Sequence, residues 1–229
     1  MNILGFDTVS TSFSIALKKN DKIFEYNKKD IKNHNEILLP ILKDFLYQNN
    51  TTLDDIDYIA IGIGPGSFTA IRILFSTIKS ICYAKNIKII GISSLEALYQ
   101  NIKEYEGIKA SVINARSGSI YTNIYCDDKK VYENLDITVD EFIEKINNLN
   151  RENKNVILCG DGVEKNKEIF LGKINNIKDI NNDNIIKASN TILLSESRYN
   201  NNDFDDVFSI SPLYIRKSEA ENKKELENR

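Results

Sequence analysis

Two stretches of this chain share a plan. "YIAIGIGPGSFTAIRI" (residues 58–73) and "NVILCGDGVEKNKEIF" (residues 155–170) each run from an apolar strand, through a Gly-x-Gly turn, into a helical pattern. Upstream of each lies a second matching device. "NILGFD" ends at Asp7, turns through small hydroxyl residues and returns as "FSIALKK". "KASVIN" ends at Asn114, turns through "ARSGS" and returns as "IYTNIYC". Asp7 to Phe13 and Asn114 to Ile120 have the same spacing. The order hairpin, helix, strand, glycine turn, helix therefore occurs twice. That implies a diverged internal duplication and an α/β fold with two similar units, divided here as residues 1–104 and 105–229.

The elements between follow from periodicity. Ile37, Leu38, Ile41, Leu42 and Phe45 fall at helical spacing over about 35–48, with Pro40 in an early turn. Ile71, Leu74, Phe75, Ile78, Ile81 and Cys82 give a strongly amphipathic helix after the glycine turn. "KIFEYN" reads as a third strand, "IKIIGI" as another, "SSLEALYQ" and residues 140–148 as helices, and "NTILLSESRY" as a further helix. Residues 175–184 read as an Asn-rich loop. Residues after about 212 are expected to pack back on the first unit, and the terminal "KSEAENKKELENR" reads as an exposed helix supported by Glu219–Lys223 and Glu225–Arg229 or as a frayed terminus.

Charge and composition exclude several classes. Thirty Lys and Arg against 33 Asp and Glu leave a net charge of −3 without a dense basic block, so a standalone nucleic-acid binder is not expected. Cys82, Cys126 and Cys159 lie far apart in apolar surroundings and read as buried free thiols. The chain opens directly on a strand, and no apolar run approaches the ~20 residues of a membrane span. Cytoplasmic location and no membrane contact are expected.

The chemistry centres on the turns. Gly64, Pro65 and Gly66 permit a tight backbone, and Ser67 or Thr69 is placed to cap the next helix. A helix start of this kind attracts anions. Yet the Walker lysine is absent, and "GPGSFT" lacks the third glycine of a dinucleotide fingerprint. The loop reads either as an anion cradle or as a turn that launches a helix. Asp7, beside Thr8, Ser10, Thr11 and Ser12, reads either as a carboxylate for a hydrated Mg²⁺ or as a cap of its own hairpin. His34 is the chain's one histidine, so it supports no zinc site and no triad, and it reads as a surface or interface residue. Glu96 reads as a helix-surface residue.

"FDTVSTSFSIAL", "HNEILLP", "GIGPGSFTAIRI", "GISSLEAL", "NARSGSIY", "CGDG" and "SPLYIR" occur here in the order and spacing of the TsaB family, which the chain resembles from residue 1 to about 218. The resemblance implies a duplicated actin-like, Hsp70-like α/β fold of two lobes, each with a mixed sheet and helices. It implies a non-catalytic subunit supporting TsaD in threonylcarbamoyl transfer to adenosine 37 of tRNA. In TsaD the segment after the glycine-turn helix carries two metal-binding histidines. The matching positions here are Ser94 and Leu98, so neither metal site nor cofactor is expected. Asp161 and Glu164 put negative charge at the matching nucleotide turn. Asp7, Thr8, Ser10, Arg116, Gly118 and Gly162 then form a vestigial phosphate site.

Part of the apolar face of the first two long helices must pack on the sheet, and the rest is the candidate interface, at Leu38, Leu42, Phe45, Ile71, Leu74, Phe75 and Ile78, forming a four-helix contact; each of these residues, Ile71 and Ile78 above all, also reads as core packing. The implied partners are a TsaD-type subunit, a TsaE-type ATPase and, in isolation, a second copy; tRNA is reached only indirectly. The chain departs from the family at Ala70, Leu74 and Ser80, where glycine is usual, and at Ser117 and Ser119, where Arg and Glu are common. Leu74 is expected to alter helix packing at the partner face. Two other readings stand beside this one. One is an autonomous phosphotransferase using Asp7, Thr8, Gly118 and Gly162 around MgATP. The other is a metallopeptidase, which one histidine and no ligand cluster disfavour.

Overall fold

Asn2–Asp7 (β1) is apolar on both faces because it becomes the middle strand of a sheet. The computed structural model describes residues 1–9, 12–29, 31, 34–115, 118–178 and 184–216, with the side chains of residues 34 and 35 also outside the description. β1 pairs antiparallel with Phe13–Lys19 (β2), placing Asp7 opposite Ser14. β2 pairs antiparallel with Lys22–Lys28 (β3). Asn20 and Asp21 make the two-residue turn with φ of 49° and 63°, the left-handed conformation that Asn and Asp tolerate. His34–Gln48 (α1), Tyr58–Gly62 (β4), Phe68–Lys85 (α2), Lys88–Ile92 (β5) and Ser94–Tyr99 (α3) follow, with β4 parallel to both β1 and β5.

The second half repeats this series. Ile108–Asn114 (β6), Ser119–Cys126 (β7) and Lys129–Thr138 (β8) form a meander, and Asp127 and Asp128 turn it with φ of 47° and 61°. Val139–Leu149 (α4), Val156–Cys159 (β9), Asp161–Lys173 (α5), Ile177–Lys178 (β10) and Ala188–Asn200 (α6) complete it. The sheet orders are β3-β2-β1-β4-β5 and β8-β7-β6-β9-β10, so the duplication visible in the turns is one of topology. β8 and β10 are strands that the sequence pattern does not announce. β8 is a polar edge strand with an irregular register near Ile124, and β10 has only two residues. The charged tail lies outside the described residues.

Each sheet is covered on two faces. On the first sheet, α1 and α2 bury Leu38, Leu42, Phe45, Ile71, Leu74 and Ile78 over Leu4, Phe6, Ile15, Ile59 and Ile61. The opposite face carries Ile3, Ala16, Tyr58, Ala60 and Ile90, and α6 covers it through Ala188 and Ile192. Tyr58 Oη and Ser195 Oγ lie 2.9 Å apart there, and the Ala188 N–H donates to Ser14 Oγ at 2.7 Å. In the second lobe α4 and α5 bury Phe142, Ile146 and Phe170 over Val112, Ile120, Ile124 and Leu158. Its other face meets α3, where Leu95, Leu98 and Tyr99 join Ile113, Tyr125, Ile157 and Cys159 in one cluster. Each half therefore lends its last helix to the other half's sheet.

This exchange carries the end of the chain across to the first sheet. The expected division at 104/105 sent only the residues after about 212 back to the first unit, whereas α6 lies there as well. The Asp205 N–H donates to Ile89 O at 3.0 Å and the Leu213 N–H to Ile63 O at 2.7 Å. The physical reason is the apolar second face of the first sheet, which needs a cover. The chain then returns to the second lobe. Arg216 makes a two-pronged ion pair with Asp136 at 2.6 and 2.7 Å and donates to Ser119 Oγ at 2.8 Å. Cys82 and Cys159 are buried free thiols as expected, whereas Cys126 is only half-buried. No helix among the described residues is long and apolar enough to cross a membrane.

Candidate functional site

The glycine loop is packed from every side. Gly64 adopts φ of 98°, and a Cβ on Gly66 would stand 2.1 Å from Val9 O, so glycine is demanded at both. The Ser67 N–H donates to Val9 O at 2.6 Å, and Ser67 Oγ accepts from the Ala70 N–H at the start of α2. The loop's donors thus point at the β1–β2 hairpin and at the helix's own cap. Of the two sequence readings, the turn that launches a helix is the one these contacts describe.

Asp7 closes the same cluster. It is 2% exposed, its Oδ1 accepts the Val9 N–H at 3.1 Å, and its Oδ2 accepts the Ser94 hydroxyl at 2.7 Å. Ser94 Oγ in turn accepts the Gly64 N–H at 3.2 Å, while the Ser94 N–H donates to Gly64 O at 2.9 Å. One serine side chain thereby ties the end of β1 to the glycine loop and the start of α3. Burial pushes the Asp7 carboxyl up from 3.8 to about 7, with the Ser94 and Val9 hydrogen bonds opposing the rise. Thr8 is buried beside it, its hydroxyl 3.4 Å from Ala70 O. Ser94 was singled out only as a missing metal ligand; its role as the pin of this cluster carries no signal in the sequence.

The second half has a counterpart. Asp161 Oδ1 accepts the Asn114 N–H at 2.8 Å, joining the Gly160–Gly162 turn to the end of β6. Burial raises that carboxyl to about 6. Gly162 is buried against Val112, and Gly118 stands open, with nothing within 4 Å of an added Cβ. Glu164 pairs with Lys29 of the first lobe at 3.3 Å and accepts from the Asn184 amide at 3.2 Å. Of the six residues expected to line a vestigial phosphate site, Asp7, Thr8 and Gly162 are buried and Gly118 is open. Ser10 and Arg116 lie outside the described residues. Leu98 is also fully buried, and no group of three or more His, Cys, Asp or Glu side chains able to hold a metal occurs among the described residues.

The helix pair differs from expectation in its residues. Leu38, Leu42, Phe45, Ile71, Leu74, Phe75 and Ile78 are all 7% exposed or less and pack inside this chain. They form the stripe by which α1 and α2 sit on the first sheet, and of these seven Leu42 alone also borders the groove beside α1. Leu74, expected to disturb a partner contact, is a core residue, and Ser80 is exposed with its hydroxyl donating to Ser76 O at 2.7 Å. The free surface lies beside that stripe, mainly on α1, with Ile81 contributed by α2. A groove of about 660 Å³ is lined by apolar side chains of α1, by Leu53 and Ile81, and by the polar Lys43, Asp44 and Thr51, with Leu39 at 55% and Tyr47 at 83% exposure. Leu39 and Tyr47 were legible as apolar residues off the core stripe of α1.

Two lobes of like topology, each with a strand–glycine-turn–helix unit beside a carboxylate, define the duplicated actin-like α/β class. A family model described as TsaD, tRNA N6-adenosine threonylcarbamoyltransferase, matches residues 28–224. Over 231 residues the chain is 27% identical to the tRNA threonylcarbamoyladenosine biosynthesis protein TsaB of Bacillus subtilis, covering 97% of each. It is 33% identical to the protein of the same description from Buchnera aphidicola of Schizaphis graminum, covering 72% of this chain and 80% of that one. In structure it is similar to a Pseudomonas aeruginosa protein described by its similarity to the peptidase YeaZ, at TM-score 0.75 and 19% identity, covering 94% of this chain and 99% of that one. A Bacteroides thetaiotaomicron protein of actin-like ATPase fold and unknown function aligns at TM-score 0.51 and 13% identity, over 84% and 95%. The chain belongs to the TsaB family, a branch of the wider threonylcarbamoyltransferase family.

Proposed function

We propose that this chain is a non-catalytic subunit in tRNA threonylcarbamoyladenosine synthesis that binds and supports a TsaD-type transferase through the α1–α2 face. The observation that carries the non-catalytic reading is the fate of Ser94. Its hydroxyl is held between Asp7 and Gly64 inside the core, where the resemblance places a metal ligand in the catalytic relative. The neighbouring carboxylate and Thr8 are buried with it, which also weighs against an autonomous phosphotransferase.

The groove supports the partner reading. It is mainly apolar, flanked by Lys43 and Asp44, and runs along α1 beside Ile81 of α2, a surface that a helix of another chain would cover. In isolation a second copy covers the same surface, since an apolar patch of this kind seeks cover. A TsaE-type ATPase would join the assembled pair. A net charge of −3 fits a subunit that reaches tRNA only through its partner.

The test is association with the cognate TsaD-type protein, measured by calorimetry. Leu39→Glu with Tyr47→Glu is expected to weaken binding at least tenfold while leaving the melting temperature of the isolated chain unchanged. Undiminished affinity in that double variant would remove this face from the interface. Absence of any complex with the unaltered chain would remove the partner.

A further inference from the structure

Arg72 is fixed at the surface without a charge to meet. It is exposed near the start of α2. Its guanidinium carbon lies 3.7 Å from the centre of the Phe68 ring, and its Nε donates to the Tyr214 hydroxyl at 3.1 Å. Tyr214 tilts against Phe68, with ring centroids 5.2 Å apart, and it follows Leu213, whose N–H is fixed to Ile63 O. An exposed arginine ordinarily keeps its rotamer freedom. Here a neighbouring ring and a hydroxyl from 142 positions away remove it.

Two other arginines are held as firmly, and each meets carboxylates of its own chain. Arg198 pairs with Asp203 and Asp205, and Arg216 with Asp136. Arg72 spends its Nε edge and its face on the brace, and its Nη groups have no hydrogen-bond or ion-pair partner among the described residues. A planar fork fixed in this way matches a carboxylate with two parallel hydrogen bonds and loses little entropy on binding it. Arginines are enriched among the residues that dominate protein interfaces. A nucleic-acid backbone fits less well, because it needs several free cations in a row. The other cations of α2 are already engaged: Lys79 donates to Phe208 O and Ile210 O, and Lys85 pairs with Asp54.

The place of Arg72 fits a partner as well. It lies nine residues before Ile81 on the same helix, about 14 Å along the axis, with Ser76 and Ser80 exposed between them. Ile81 borders the groove beside α1, so a chain covering that groove and running on along α2 reaches the fork.

We propose that Arg72 is the charged anchor of the α1–α2 face and takes an Asp or Glu carboxylate from the partner subunit. Phe68 and Tyr214 are its positioning residues. The inference rests on the partner reading above and adds to it the chemistry of one contact.

The test is calorimetry with the cognate TsaD-type protein at low and at high salt. The unaltered chain is expected to bind more weakly at high salt. Arg72→Ala is expected to weaken binding at least tenfold at low salt and to flatten that salt dependence. Arg72→Gln, which keeps the stem and loses the charge, carries the test if Arg72→Ala lowers the melting temperature. Tyr214→Phe removes only the hydroxyl that holds Nε, and a loss of roughly threefold is expected. Undiminished affinity without the charge overturns the anchor. So does a loss that leaves the salt dependence of the parent, which is what a merely structural brace would give. Weaker tRNA binding by Arg72→Ala at unchanged affinity for the protein partner assigns the fork to phosphate and also overturns it. If Leu39→Glu with Tyr47→Glu weakens the complex and Arg72→Ala does not, the anchor fails and the partner reading stands. No complex with the unaltered chain removes both.

Discussion

Replacing Asp7 by Asn should change how stability depends on pH. The carboxyl is raised from 3.8 to about 7 because burial disfavours its charged form. In the unfolded chain it ionises near pH 4, so between pH 4 and 7 the folded state holds a proton that the unfolded state has lost. Stability therefore falls as pH rises through that window and levels off above it. The full shift corresponds to about 4 kcal/mol at 1.36 kcal/mol per pH unit. Between pH 5 and pH 8 alone the loss from this group is about 2.5 kcal/mol. Asn keeps an oxygen for the Val9 N–H and turns an amide toward Ser94 Oγ, at a cost that does not depend on pH. The stability difference between Asp7→Asn and the parent should thus shift in favour of the variant by about 2.5 kcal/mol from pH 5 to pH 8. At 2–4 °C per kcal/mol for a chain of this length, that is roughly 5–10 °C of relative melting temperature. Asp161, raised to about 6, adds its own decline between pH 4 and 6, but in both proteins, so it cancels. Urea denaturation at half-unit pH steps reads the difference directly. A difference constant to within about 0.5 kcal/mol across that range would show that Asp7 titrates normally and that the sealed cluster is not as described.

Two further substitutions separate the packed loop and the core stripe from the free helix face. Gly66→Ala drives a methyl group to 2.1 Å from Val9 O, a backbone atom that cannot step aside, so a loss of about 3 kcal/mol or more is expected in urea; a loss under about 1 kcal/mol would mean the loop is not held against the hairpin. Leu42→Ala removes a side chain that is 4% exposed and should cost about 2–4 kcal/mol, whereas Tyr47→Ala, at 83% exposure, should stay within about 0.5 kcal/mol. Equal effects in thermal melts would contradict the assignment of one to the core and the other to the surface.

The duplication was readable because each half repeats two turn types in one order, and turn chemistry is local. A glycine before a helix, an Asp or Asn pair at φ near 50°, and a carboxylate at a strand end are decided by neighbours in sequence. The apolar stripes of α1 and α2 were readable for the same reason. Periodicity reports that a side chain will be covered but not by what, so Leu38, Leu42 and Leu74 could be read as interface when they are core. β8 escaped because an edge strand with polar residues on both faces and Asn134 at φ of 51° loses its alternation.

What the order of residues determined by itself is the repeated unit and its turns, because those rest on backbone preferences and spacing within a few residues. Contacts across large separations were decided only in three dimensions. Ser94 reaches Asp7 over 87 positions, and α6 crosses to a sheet begun more than 170 residues earlier. Such pairings depend on which apolar faces remain uncovered once both sheets exist, and that is a property of the assembled molecule.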